Sequence, residues 1–191
     1  SAIKQGITLV LGGPDGGGPS PMKDYLDTLS KYDLGMNMAY LVGHNTIRRR
    51  VMQTDNRPPT PEELEEMKAM VKEAMDAGAF GISTGLKYVP GSFSNVSEVI
   101  ELSKVAAASK GIYTSHLREE GLGLLEAVQE AIMIGSAADI PIVLTHHKAI
   151  GKPMWGASVK TLAMVDSARA IGLDIMMDQY PYTASSTGIS V

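Results

Sequence analysis

GIYTSHLRE, residues 111–119, and IPIVLTHHKA, residues 140–149, share one layout: an apolar run, then histidine, then a cation. Between them LGLLEAVQEAIMIGSAAD, residues 122–139, places apolar side chains at helical spacing. Strand, helix and strand in that order make a βαβ unit with parallel strands. Both strands are apolar with little alternation, as strands covered on both faces should be.

The same plan extends in both directions. ITLVLGG (7–13), MNMAYLVGH (36–44) and GAFGISTGL (78–86) come before, and LDIMMDQYPY (173–182) follows, giving six strand-like runs about 30 to 40 residues apart. Helical patterns fill the intervals at KDYLDTLSKYDLG (23–35), PTPEELEEMKAMVKEAMDAG (59–78), NVSEVIELSKVAAASKG (95–111) and SVKTLAMVDSARAIG (158–172). Thr60 reads as an N-cap, Pro61 as the first helical residue and Gly78 as a stop. Met67, Met70, Met75, Met133 and Met164 lie in these helices and read as core filler.

Two architectures carry such alternation: a doubly wound sheet and an eight-stranded barrel. GGPDGGGP (12–19) is not the GxGxxG of a dinucleotide loop, and Pro14 and Pro19 interrupt the entry to a helix. As a phosphate loop it is also poor, because Asp15 would repel the anion. Polar, reactive residues instead close several runs: Asp15, His44, His116, His146 or His147, and Tyr180. A barrel collects such residues on one rim. The expected fold is α/β, a TIM-like (β/α)8 barrel. Residues 1–191 would carry about six of its strands, with the outer units beyond both ends.

The composition narrows the partners. The chain has 191 residues, 44% hydrophobic and 20% charged, with a formal net charge of −4, which is ordinary for a globular protein with a sizeable core. No basic run interleaves with aromatics, so no nucleic-acid partner is expected. Arg48, Arg49 and Arg50 form the one dense cationic spot. With Glu62, Glu63, Glu65 and Glu66 close behind, it reads as a solvated face. The absence of cysteine excludes disulfides and thiolate ligands and is compatible with the expected cytoplasmic setting. No apolar run reaches the roughly 18 residues that span a bilayer, so no membrane partner is expected. SAIKQGITLVLGG lacks a signal-peptide layout and reads as the interior of a polypeptide.

The histidine strands suggest a metal site. Neighbouring parallel strands lie about 4.8 Å apart, and two imidazoles at one height can each meet a cation at about 2.0–2.1 Å. A third ligand from another strand would leave a position for water, whose pKa the metal lowers toward about 7. Lys148, two residues past His146, would then suit a substrate carboxylate, and Arg118 has the same offset from His116. Each residue also has a plainer reading. A lone strand-end histidine is commonly structural, His44 reads as a loop organiser, and Asp15 before glycine is a common turn residue. Trp155 is a pocket lid or an exposed aromatic.

GHNTIRR (43–49), GAFGISTGLKYVPG (78–91), YTSHLREEG (113–121), LTHHKA (144–149) and DQYPYTASST (178–187) occur in order. Together they closely resemble the D-aminoacylase (N-acyl-D-amino-acid deacylase) branch of the amidohydrolase superfamily. The resemblance implies a metal-dependent hydrolase barrel beside a small β-domain, using one or two divalent ions, usually zinc. It implies metal ligands at His116 and at the first histidine of the pair, His146. Direct alignment of TSH on THH would favour His147. It further implies that Lys148, Tyr180 and Ser186 hold the substrate carboxylate. The family's third ligand is a cysteine in a GNCG turn. Here the turn reads GPDG, which puts Asp15 at that place as an oxygen ligand. The family's HxH pair and its catalytic aspartate have no match in these residues, so residues 1–191 alone are expected to be inactive.

The implied activity is hydrolysis of the amide of an N-acyl-D-amino acid by metal-activated water. A cyclic-amide hydrolase of dihydroorotase or hydantoinase type and a non-catalytic barrel scaffold are the rival readings.

Overall fold

The computed structural model describes residues 2–188. Six strands form one sheet: β1 (Leu9–Gly12), β2 (Asn37–Gly43), β3 (Gly81–Gly85), β4 (Ile112–His116), β5 (Ile142–Leu144) and β6 (Ile175–Met177). They lie in chain order, and every neighbouring pair is parallel. Sequential parallel order is barrel order, and the sheet is a curled half-barrel. The helices are α1 (Met22–Leu29), α2 (His44–Met52), α3 (Pro61–Asp76), α4 (Val96–Ala108), α5 (Leu124–Ala138) and α6 (Ser158–Ala170). From α2 to α6 each helix packs on the next. No helix of the described residues is long and apolar enough to cross a membrane.

The helices follow their sequence signals closely. Thr60 accepts the Glu63 N–H, and the Glu63 carboxylate accepts the Thr60 N–H, so α3 opens with a capping box and Pro61 at its first position. Asn95 caps α4 by accepting the Glu98 N–H. The core lies between sheet and helices, with Val71, Ile82, Val99, Leu102, Val128, Ile134, Ile142 and Val165 all fully buried. Met67 and Met75 belong to it, while Met133 is 49% exposed on the outer face of α5 and fills nothing.

The arginine run departs from its expectation at Arg48 alone, since Arg49 and Arg50 are exposed. It lies on α2, a helix the sequence reading placed no element on, and Arg48 is completely buried. Its guanidinium donates to Glu98 at 2.5 Å and to the carbonyls of Asp55 and Arg57, while His44 meets the other Glu98 oxygen at 2.7 Å. His44 is therefore a structural residue linking α2 to α4. Burial acts to raise the Glu98 carboxyl, but His44 and Arg48 override it and hold it low. Replacing Glu98 by alanine leaves Arg48 buried without a counter-charge, which is expected to cost about 3–5 kcal/mol. The carboxyl titrates below its ordinary 4.5, so this stabilisation is complete above that pH and lost as pH falls through the folded value. Thermal denaturation of wild type and Glu98→Ala across pH should show a gap in Tm that closes on acidification.

Candidate metal centre

The first wall of the site is the turn after β1. Asp15 and Gly16 both adopt left-handed conformations, at φ 57 and φ 75. The turn then lies directly on the ends of β2 and β3. A Cβ on Gly85 would sit 2.1 Å from the Asp15 carbonyl oxygen, and one on Gly43 would sit 2.3 Å from that of Gly16. Ser83 Oγ donates to the Gly13 carbonyl at 2.6 Å and accepts the Gly16 N–H at 3.2 Å. Thr46 Oγ1 accepts the Gly18 N–H at 3.2 Å. The Asn45 amide bonds both the N–H and the carbonyl of Gly85. Residues of the GHNT and GISTG segments thus hold the GGPDGGG turn over the sheet.

The histidines come from β4 and the loop after β5. His116 is the last residue of β4, in register with Gly85. β5 ends at Leu144, so His146 is not a strand residue. It turns left-handed at φ 41, and its N–H donates to Asp178 Oδ1 at 2.5 Å, just past β6. His116 Nδ1 lies 3.7 Å and His146 Nε2 3.4 Å from Asp15 Oδ1. The two imidazole rings stand edge to face with centroids 4.4 Å apart. One ligand-capable atom from each of Asp15, His116 and His146 lies within 4.8 Å of the others. His147 turns the other way, and its Nε2 meets Thr161 of α6 at 2.8 Å.

Asp15 Oδ1 and His116 Nδ1 are buried and have no hydrogen-bond partner. Buried polar atoms in folded proteins are almost always paired. Two such orphans facing each other, with a second imidazole alongside, suit a divalent cation held by oxygen and nitrogen. The charges agree. Burial acts to raise the Asp15 carboxyl, but the facing imidazoles of His116 and His146 hold it well below the carboxylate range. Burial acts to lower His146, but Asp15 and Glu120 push it up to about 9. Burial lowers His147 against the opposing charge of Glu120, and the neighbouring Lys148 and His146 lower it further.

Lys148, Tyr180 and Ser186 gather at one cleft, and Arg118 does not join them. Lys148 Nζ contacts a Glu120 carboxylate oxygen and lies 2.9 Å from both His146 Nδ1 and the His146 carbonyl oxygen. It also sits 5.5 Å above the centre of the Tyr180 ring. Tyr180 and Ser186 line a cleft of about 160 Å³ over the three candidate ligands. Arg118, at the same offset from its histidine as Lys148, is not in this cleft. It chelates Glu130 of α5 and donates to the carbonyls of Ser92 and Ser94. β4 continues through His116 while β5 stops short of His146, so equal spacing leads to different places. Trp155 is 70% exposed on the wall of an adjoining hollow. Three site residues carried no signal of their own: Glu120, Asp178 and Tyr88, whose ring centroid lies 4.6 Å from that of His116. Glu119, the other acid of REE, turns outward and pairs with Lys87.

No protein-family model matches the chain. Curated relatives do, all from Alcaligenes xylosoxydans xylosoxydans. A D-aminoacylase is 42% identical over 164 residues, 86% of this chain and 34% of its own length. An N-acyl-D-glutamate deacylase is 40% identical over 87% of this chain and 34% of its own length. An N-acyl-D-aspartate deacylase is 37% identical over 93% of this chain and 36% of its own length. The chain thus spans about a third of the length of these curated relatives. A crystal structure of D-aminoacylase, described as defining a novel subset of amidohydrolases, superposes with a TM-score of 0.90 at 34% identity, over 96% of this chain and 43% of that one. N-acyl-D-glutamate deacylase from Bordetella bronchiseptica, complexed with zinc and a phosphonate mimic of the tetrahedral intermediate, gives 0.89 at 35% identity, over 94% and 43%. A further D-aminoacylase structure concerns a binuclear metal centre.

Fold and site together define a segment of an amidohydrolase barrel. Within that class the chain belongs to the D-aminoacylase, or N-acyl-D-amino-acid deacylase, family.

The position of Asp15 depends on the bare backbone beneath it. Gly85→Ala forces a Cβ onto the Asp15 carbonyl and is expected to destabilise by about 1–3 kcal/mol. Gly17→Ala, whose nearest neighbour would be an ordinary 3.8 Å away, should be tolerated. Thermal unfolding of the two variants beside wild type checks the contrast.

Proposed function

We propose that this chain supplies the metal-holding wall of an enzyme that hydrolyses the amide bond of N-acyl-D-amino acids. One observation carries the proposal. Asp15, His116 and His146, from three separate strand ends, converge within 4.8 Å in a chain 37–42% identical to three such deacylases. His116, His146 and Asp15 would hold the ion, and zinc is the reading that the Bordetella relative supports. When bound, a divalent ion there lowers the pKa of water toward about 7 and polarises the amide carbonyl.

The chain's own residues do the rest of the work assigned to it. Asp15 and the two imidazoles fix the reaction centre at the rim. Lys148, Tyr180 and Ser186 face the same cleft and hold the substrate carboxylate, setting the acyl group toward the ligands. The group that shuttles the proton to the leaving nitrogen lies outside these residues. So do the remaining barrel units and the small β-domain. This division fits a sheet whose β1 and β6 are edges among the described strands, with Leu9 55% and Met176 49% exposed. An unpaired edge invites strand pairing. A small-molecule substrate and a cytoplasmic setting complete the proposal.

In the intact protein, His116→Ala and His146→Ala should each abolish both bound metal and release of acyl group from N-acetyl-D-amino acids. His147→Ala should keep its metal and lose only the stability that its Thr161 hydrogen bond contributes, about 1 kcal/mol. Metal analysis with a deacylation assay reads both. Full activity in chelator-stripped protein, or preferred turnover of hydantoin or dihydroorotate, would overturn the proposal.

A further inference from the structure

Glu120 is 6% exposed and lies where the two histidine loops meet. It joins them through both backbone and side chain. Its carbonyl accepts the Ile150 N–H at 2.8 Å, and its carboxylate accepts from Lys148. Its Oε1 also lies 3.3 Å from His146 Nδ1, and its Oε2 3.9 Å from His116 Nε2. The neighbouring Glu119 holds this corner in shape. One Glu119 oxygen accepts the N–H groups of Glu120 and Gly121, while the other pairs with Lys87.

His146 Nδ1 consequently faces two groups with opposite demands. The Lys148 ammonium, 2.9 Å away, can only donate, whereas the Glu120 carboxylate can only accept. A neutral imidazole carries one N–H and one bare nitrogen. If Nδ1 accepts from Lys148, the ring proton sits on Nε2, pointing at Asp15. If Nδ1 donates to Glu120, Nε2 is bare and turned toward the candidate metal position. Metal-binding histidines commonly donate their second N–H to a carboxylate, which fixes tautomer and ring orientation.

We infer that Glu120 is the positioning residue of this centre: it accepts the His146 Nδ1–H, so that Nε2 is presented to the metal, and it competes for that nitrogen with the Lys148 ammonium 2.9 Å away. The inference rests on the metal-site reading above. Without Glu120, Nδ1 would face only the lysine, and the ring would turn its N–H toward the metal position. A carboxylate serving merely as the counter-ion of Lys148 has no such effect on His146.

The two roles separate in paired variants of the intact protein. Zinc affinity is measured by competition with a chromogenic chelator, alongside the Tm of the metal-free protein. Glu120→Gln is expected to weaken zinc by about 10–100-fold, the range for losing the partner of a ligating histidine. Lys148→Met removes the competing donor and should leave zinc affinity equal to wild type or higher. A counter-ion role makes the two variants alike, both lowering Tm. The inference is overturned by wild-type zinc affinity in Glu120→Gln, or by an equal loss in Lys148→Met. Wild-type protein that takes up no zinc would overturn the metal-site reading itself, and this inference with it.

Discussion

Asp15 can face His116 and His146 only because the turn that carries it touches backbone with no side chain in between. The carbonyl oxygens of Asp15 and Gly16 occupy the space where Cβ atoms on Gly85 and Gly43 would stand. Strands in a parallel sheet are spaced by their hydrogen bonds, about 4.8 Å apart, so β1 cannot move toward β4 as a whole. The loop must instead travel across the tops of β2 and β3. It does so by hydrogen bonding to Ser83 of β3 and to Thr46 just past β2. Glycine below and glycine within the turn are thus two halves of one constraint.

That placement brings two carboxylates, Asp15 and Glu120, into a partly buried cluster with Lys148 and His146. Charges removed from water are costly unless matched. In the described structure the match is nearly complete: Lys148 neutralises Glu120, and a protonated His146 answers Asp15. The surroundings therefore favour positive charge at the point where the three candidate ligands meet. A divalent ion satisfies the same demand after displacing the imidazole proton, since ligating histidine must be unprotonated.

The sequence made the strand–helix alternation, the barrel order and the three candidate ligands legible, because each depends on local signals. Apolar runs mark buried strands, the Thr60 box marks a helix start, and histidine at a strand end marks the rim. What stayed hidden depends on long-range partners. Arg48 read as a surface charge because Glu62 and its neighbours are close in sequence, yet its partner Glu98 lies on α4. Helix α2 begins directly at the end of β2, with Gly43 as an N-cap that offers no side-chain hydrogen bond, so no capping signal announced it. Lys148 and Arg118 looked equivalent until strand length separated them. Glu120 stood beside Glu119 with nothing in the pattern to tell the solvated acid from the buried one. Spacing along the chain gave the histidine strands, and the family resemblance chose His146 over the His147 that direct alignment of the two strands would favour.

An aspartate at the place where the family resemblance implies a cysteine would change the ligand chemistry of the candidate centre. A thiolate binds zinc through a soft sulfur at about 2.3 Å, whereas carboxylate oxygen binds harder and nearer, at about 2.0–2.2 Å. Soft ligands favour soft ions, while carboxylate and imidazole accept a wider range of first-row metals. A carboxylate also needs less help to ionise than a thiol, and here the imidazoles of His116 and His146 hold the Asp15 carboxyl low against the effect of burial. The glycine-lined turn already sets the Asp15 carboxylate 3.7 Å from the His116 ring nitrogen and 3.4 Å from that of His146, so the three donors stand together without an ion between them.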